Sequence, residues 1–342
     1  MVFPANVNKI GWFLKEQLTK TLPRLYEINY AQLWGLDSSL NFHVAFGDLP
    51  LGLDFLEAYY KSDAGQMAAL YDGFSDDAPT VDISLGKKSF PCAIFIQGAR
   101  WNLMDIEKMR VAAETRTMLP SINIIAAKQD AVADYMNRRE HHTVLYGYPK
   151  KGIYGIFSQR GIATADATFA PYAKSSGAYN ISTATLYEDL TDIIWQFVNR
   201  AKLSTPAQVQ MKVPPRLGRR LVEIYKTSAG ESIGMTVQQM LRSSELGLGI
   251  NSISIHNELQ GSELNKYVWN EAGNAYYSNS NDRIVFKATT YNPERHFFAR
   301  RPIEPFRRGS LEYEQVTISS TSGILNFEEE FMWYYDFNNA LS

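Results

Sequence analysis

A single cysteine, Cys92, stands in 342 residues, which excludes an intramolecular disulfide framework and any zinc site built from several cysteines. Packing and hydrogen bonds must hold the fold, and a reducing compartment is the expected setting. Long apolar runs are missing too. Near the N-terminus Gly11–Leu14 is cut short by Lys15 and Glu16, so neither a signal peptide nor a membrane anchor is expected. Charge of one sign is equally scarce: 34 basic and 36 acidic residues leave a net charge of -2, and no global field recruits nucleic acid or an anionic membrane. Internal repeats at solenoid or propeller periods are absent. What remains is a chain 45% hydrophobic and 13% aromatic, enough to bury the cores of two or three structural units.

The strongest helix signal runs from Pro120 to His142. Ile122, Ile125, Val132 and Met136, with Ala126 and Ala133, recur at three-and-four spacing and make one apolar stripe. Pro120 suits a first turn, and Arg138, Arg139, His141 and His142 place cations at the negative end of the helix dipole. Such a helix is roughly 34 Å long at 1.5 Å per residue. On this reading Ile125→Asp blocks folding or assembly, because it buries an unpaired charge.

Ahead of it, Val7, Ile10, Leu14 and Leu18 mark a modest amphipathic helix ending near Leu22, and Arg24–Leu36 reads as an arm lying along something else. Two strand-like runs then flank a polar turn around Asp76, Asp77 and Pro79. Between Ser62 and Lys88 there is too little apolar residue for a separate core, so this is read as a long surface hairpin. Leu103, Ile106 and Ala113 suggest a short helix before the long one. Behind it, Val144–Phe157 is rich in glycine and aromatics and reads as a turn plus a short strand.

A second good helix spans Thr185–Leu203, capped by Thr183 or Thr185. Strands at Val209–Val213, Ile250–His256 and Ile284–Ala288, with helices at Arg216–Tyr225 and Thr236–Arg242, read as a compact α/β unit in its own right. The SNSND run Ser278–Asp282 reads as an exposed loop. Leu311–Ile318 and Ile324–Tyr335 read as a terminal hairpin around Ser319–Gly323.

Chemistry is sparse, and the sequence predicts no catalytic, cofactor-binding or metal-ligating residue. Gly86-Lys87-Lys88-Ser89 has Val81 where a phosphate loop needs its first glycine, and Gly247-Leu248-Gly249 lacks the third glycine of a dinucleotide site. His141 and His142 point about 100° apart on a helix and cannot easily share a metal. Glu328, Glu329 and Glu330 offer the carboxylates a glycosidase needs. In a strand, though, Glu329 joins Phe327, Phe331 and Trp333 on one face, where it needs a cationic partner or a raised pKa. Glu294–Gly309 places five arginines among Phe297, Phe298 and Phe306, a composition of single-strand binding sites and of protein interfaces; with net charge near zero the interface is favoured.

The order of these parts resembles the major capsid protein of tailed bacteriophages, an α+β architecture known as the Hong-Kong-ninety-seven-like fold. RLYEINYAQL at Arg24–Leu33 is similar to the arm of one group of these proteins, and DDAPTVDIS at Asp76–Ser84 to its extended-loop signature. LYG and GIYGIF within Leu145–Phe157 resemble a stretch behind the spine helix, and VPP at Val213–Pro215 and SLEYE at Ser310–Glu314 resemble later landmarks. Gly230–Ser280 resembles the group poorly.

The resemblance implies an N-terminal arm at 1–56, an extended loop at 57–100, a peripheral domain at 101–203 and 291–342 with its spine helix near 120–142, and an axial domain at 204–290. It implies a non-enzymatic subunit, without cofactor, that builds hexamers and pentamers of an icosahedral shell around double-stranded DNA. Portal, scaffolding or decoration proteins are the expected partners, with no membrane, and the virion is the expected location after assembly in the bacterial cytoplasm. Inter-subunit contacts are expected from Asp76, Asp77, Lys87, Lys88, Arg300, Arg301, Arg307, Arg308, Glu328 and Glu330. Some family members cross-link a loop lysine to a neighbour's asparagine with the help of a glutamate; no motif matches that asparagine or glutamate here, and the chemistry is not expected. The arm motif begins near Arg24, so a long fused scaffolding segment is not expected either. Two alternatives stay open: an encapsulin-like nanocompartment subunit, and a hydrolase working through Glu328–Glu330.

Overall fold

The computed structural model describes residues 43–65, 81–114, 124–159, 162, 164–167, 170–175, 178–245, 247–267 and 281–337. The helix expected at Val7–Leu22, the arm Arg24–Leu36, the turn with Asp76 and Asp77, and Pro120 and Ile122 lie outside these residues. The described chain forms two compact units, one from Ile96–Tyr135 with Pro302–Thr317, the other from 43–95, Met136–Arg301 and 318–337.

In the first unit the short helix forms where it was expected, Leu103–Glu114. Asn102 starts it: its side chain accepts from Asp105 N at 2.8 Å, while Asp105 reaches back to Asn102 N. Asp105 also takes Lys128 Nζ at 3.1 Å, and the same amine donates to Arg100 O. The strand Glu312–Thr321 pairs antiparallel with Phe306–Arg307 (Phe306 opposite Glu314) and also pairs with Ala93–Asn102.

The long helix runs Ile124–Tyr146, four residues past the expected end. Val132 and Met136 are buried and Ile125 half-buried, so the stripe is real but deepest in its second half. It continues because Val144, Leu145 and Tyr146 are almost wholly buried in the second unit. Arg138, Arg139, His141 and His142 therefore do not cap the helix. Burial, with Arg139 and His141 nearby, pushes the His142 imidazole down to about 4, so it is neutral near pH 7 rather than a terminal cation.

Behind the helix, Gly147–Tyr148 and Ile153–Tyr154 make a two-residue-wide hairpin. Its glycines are steric necessities: Gly147 has φ +72°, and a Cβ there would lie 2.4 Å from Ile153 O; at Gly155 a Cβ would lie 2.4 Å from the Leu145 backbone. Ser158 Oγ closes the bend, accepting from Gly155 N and donating to Tyr146 O.

The second unit is built on a five-stranded sheet in the order Ser252–Ile255, Val209–Val213, Asp282–Ala288, Met332–Phe337, Thr164–Ala167. Asp282–Ala288 is buried along its whole length, as a central strand with both faces covered must be. On one face Val209, Met211, Ile284, Phe286 and Trp333 pack against Leu186, Leu190, Ile194 and Phe197 of the helix Thr183–Arg200. The Phe197 ring stacks on both Phe286 and Trp333, with centroids 5.6 and 6.4 Å apart. On the other face Val285, Met332 and Tyr334 pack against Leu145, Ile156, Phe157, Leu259 and Ile324.

The α/β unit read from Val209–Val213, Ile250–His256 and Ile284–Ala288 is not closed by its own strands. Its central strand completes its pairing with Met332–Phe337 and beyond that Thr164–Ala167, and its covering helix is Thr183–Arg200. The cap of that helix is Ser182, which accepts from Thr185 N at 3.1 Å, not either threonine. Lys202, at φ 50°, turns the chain out of it. The helix read at Arg216–Tyr225 is shorter, Pro215–Leu221, and Ile224–Lys226 is a strand paired with Ser232–Thr236. Thr236 and Gln239 form a full capping box on the helix Val237–Arg242. Asp282 is not in an exposed loop: it is buried and accepts from Tyr172 OH and Gly261 N.

The largest correction falls at the terminal hairpin. Ser319–Gly323 is not a turn between partnered strands, because Glu312–Thr321 and Met332–Phe337 belong to different sheets. Ser319, Ser320, Thr321 and Ser322 are buried; Ser319 Oγ donates to Glu140 Oε1 at 2.8 Å, and Ser322 N to His296 O. Hydroxyl-rich residues read as exposed punctuation, yet they are stable inside wherever such partners exist.

Candidate functional site

The hairpin is the feature without a core of its own. Strands Phe55–Gly65 and Val81–Pro91, each 11 residues, pair in unbroken antiparallel register from Phe55 opposite Pro91 to Gly65 opposite Val81. Side chains alternate between its faces. One face, with Leu56, Lys88 and Phe90, lies on the chain's own turn at 327–329: the Phe90 ring meets Phe327 edge-on at 5.4 Å, and Lys88 Nζ donates to Phe327 O at 3.3 Å and lies 3.8 Å from Glu329. The opposite face carries Phe55, Tyr59 and Leu85, which are 60%, 71% and 77% exposed. Between them Lys87 pairs with Glu57 at 2.6 Å and sits over the Tyr59 ring. A sheet face that pairs Lys87 with Glu57 and leaves three large apolar side chains in water is built to be covered.

The arginine-rich segment divides. Arg295 and Arg300 turn inward onto Glu140 of the long helix, at 3.5 and 3.1 Å, and Arg300 also donates to Asn137. Glu140, 6% exposed, therefore holds two guanidiniums and a serine hydroxyl, a role hidden in sequence by its place among the charges of Arg138–His142. Arg300 is thus half-buried against the long helix of its own chain. Arg301 is exposed. In the other unit, Arg307 donates to the carbonyls of Gly309 and Ser310, and Arg308 pairs with Glu314 at 2.9 Å, which Arg100 also approaches at 3.3 Å.

Glu328, Glu329 and Glu330 are exposed and not in a strand. They lie at a 3-10 turn, Glu329–Phe331, that Tyr291 OH fixes by accepting from Phe327 N and Glu328 N. The alternation assumed for Glu329 does not apply, and its cationic partner is Lys88. Among the described residues no cluster of His, Cys, Asp and Glu could hold a metal, and no helix is long and apolar enough to cross a membrane.

No protein-family model and no curated protein sequence matches the chain. Solved structures do match along its length. The capsid of Myoviridae phage XM1 aligns over 99% of both chains with a TM-score of 0.68 at 11% identity. The capsid of the native GTA particle aligns over 99% of this chain and 100% of that one, with a TM-score of 0.57 at 10% identity. The capsid of cyanophage P-SCSP1u aligns over 96% and 95%, with a TM-score of 0.52 at 8% identity. A hairpin with one open face, a long helix and a two-faced sheet thus occur together in a chain with the Hong-Kong-ninety-seven-like fold of these capsid structures.

Proposed function

We propose that the chain is a major capsid protein, a structural subunit without catalytic activity that assembles into hexamers and pentamers of an icosahedral shell. In this reading the shell encloses double-stranded DNA of a tailed phage, is assembled in the bacterial cytoplasm, and engages a portal and scaffolding or decoration proteins. The observation that carries it is the full-length likeness to capsid structures together with the hairpin whose face at Phe55, Tyr59 and Leu85 is left open. Residues 1–56 serve as arm, 57–100 as extended loop, 101–203 with 291–342 as peripheral domain and 204–290 as axial domain. Lys87, Arg301, Arg307, Arg308, Glu328 and Glu330, with Asp76 and Asp77, supply contacts to neighbours, while Lys88 and Arg300 brace their own subunit.

The near-zero net charge suits a wall that must hold packed DNA without gluing it, since phosphate contacts bind through released counterions. Full-length protein expressed in bacteria and viewed by negative-stain electron microscopy should show closed particles or six-membered rings. A monodisperse monomer at all concentrations would refute the assignment.

A further inference from the structure

The short strand Val44–Phe46, inside the sequence-predicted arm, is the first in the strand order of its sheet. It pairs in parallel with the start of Glu294–Pro302, Val44 opposite Glu294 and Phe46 opposite His296. Val44 N donates to Pro293 O at 2.9 Å and Leu49 N to Phe297 O at 3.3 Å, and the Phe46 ring stacks on His296 at 5.2 Å. Two histidines flank this pairing in opposite surroundings. His43 is 1% exposed, and neither of its ring nitrogens has a hydrogen-bond partner. The charged groups that act on it are cations: Arg295 of the paired strand, Lys212 of Val209–Val213 and Lys287 of Asp282–Ala288. Glu140 of the long helix is turned to Arg295. His296, by contrast, lies between Asp48 at 2.6 Å and Glu294 at 3.4 Å, so positive charge there meets carboxylates.

We propose that Val44–Phe46 is an acid-released latch: neutral His43 keeps the strand docked, and a proton taken up by His43 undocks it. A proton on docked His43 has no acceptor and is repelled by Arg295, with Lys212 and Lys287, which burial pushes down to about 7 and about 8, adding to the repulsion as they charge, whereas undocking returns the imidazole to water. Burial first, then Arg295, Lys212 and Lys287, push the docked imidazole down to about 3 from its ordinary 6.5. A base whose docked pKa lies below its undocked one binds its proton mainly when undocked. Docking is therefore at full strength above pH 6.5 and weakens about tenfold per unit below it, until the docked form protonates too. The hydrogen bond from His296 holds the Asp48 carboxyl below the usual range, so that side of the latch stays charged through this window. The latch does not depend on the chain being a shell subunit.

Hydrogen exchange of the full-length protein at pH 7.0 and 5.0, corrected for intrinsic rates, tests it. Protection of the Val44–Phe46 amides should fall about 25-fold, while Ile284–Phe286 keep theirs. His43→Phe, or His43→Leu if the larger ring does not fit, should make the Val44–Phe46 protection the same at both pH values. Unchanged protection in the natural protein would overturn the latch. So would a loss that persists in the variants, or an equal loss at Ile284–Phe286, which would mean global unfolding.

Discussion

Arg283→Met should lower the stability of the folded chain by about 3–5 kcal/mol, the cost of leaving a buried charge without its partner. Arg283 and Asp336 face each other across the central sheet, 5% and 3% exposed, and bond twice, Nε to Oδ1 at 2.6 Å and Nη2 to Oδ2 at 2.8 Å. The third guanidinium nitrogen donates to Phe157 O at 2.7 Å, tying the sheet to the chain behind the long helix. Adding Asp336→Leu should recover most of the loss, because a well-packed apolar pair replaces a buried ion pair at little net cost. Denaturant titration of dissociated subunits reads both effects. A single substitution costing under about 1 kcal/mol would show that water reaches Asp336.

Tyr59→Glu with Leu85→Glu should leave the subunit folded and abolish assembly. Both side chains are already in water, so the fold loses little. In register Tyr59 lies opposite Lys87, so a carboxylate at 59 meets a cation across the pair rather than a like charge. In an assembled shell the same positions would exchange roughly 2 kcal/mol of apolar burial per side chain for desolvated charge. Circular dichroism and thermal melting should match the natural protein while sedimentation shows no particles. Particles at the natural yield would remove the hairpin face from the interface.

Periodicity makes much of this fold legible in the sequence. The long helix was visible because Val132 and Met136 repeat at helical spacing, and the hairpin because two extended runs flank a polar turn with no apolar residue to spare. Strand Val209–Val213, ahead of Pro214 and Pro215, and the short helix after Thr236 were equally plain. What stayed hidden depends on partners distant in sequence. Ser319, Thr321 and Ser322 look like parts of a turn until Glu140 and His296 supply their hydrogen bonds, and Asp282 looks exposed until Tyr172 and Gly261 reach it. Arg300 reads as surface charge, but Glu140 lies 160 residues away along the chain. Of the proposed interface, the hairpin was readable as an element, whereas which face it would leave bare was not: Phe327 and Glu329, which cover the other face, sit in a stretch that reads as strand.

An electron cryomicroscopy map of the assembled particle at side-chain resolution tests the central claim most directly. The account predicts a closed shell in which a neighbouring subunit covers Phe55, Tyr59 and Leu85 of each hairpin. A closed shell with that face open to solvent would contradict it, as would a protein that forms no shell.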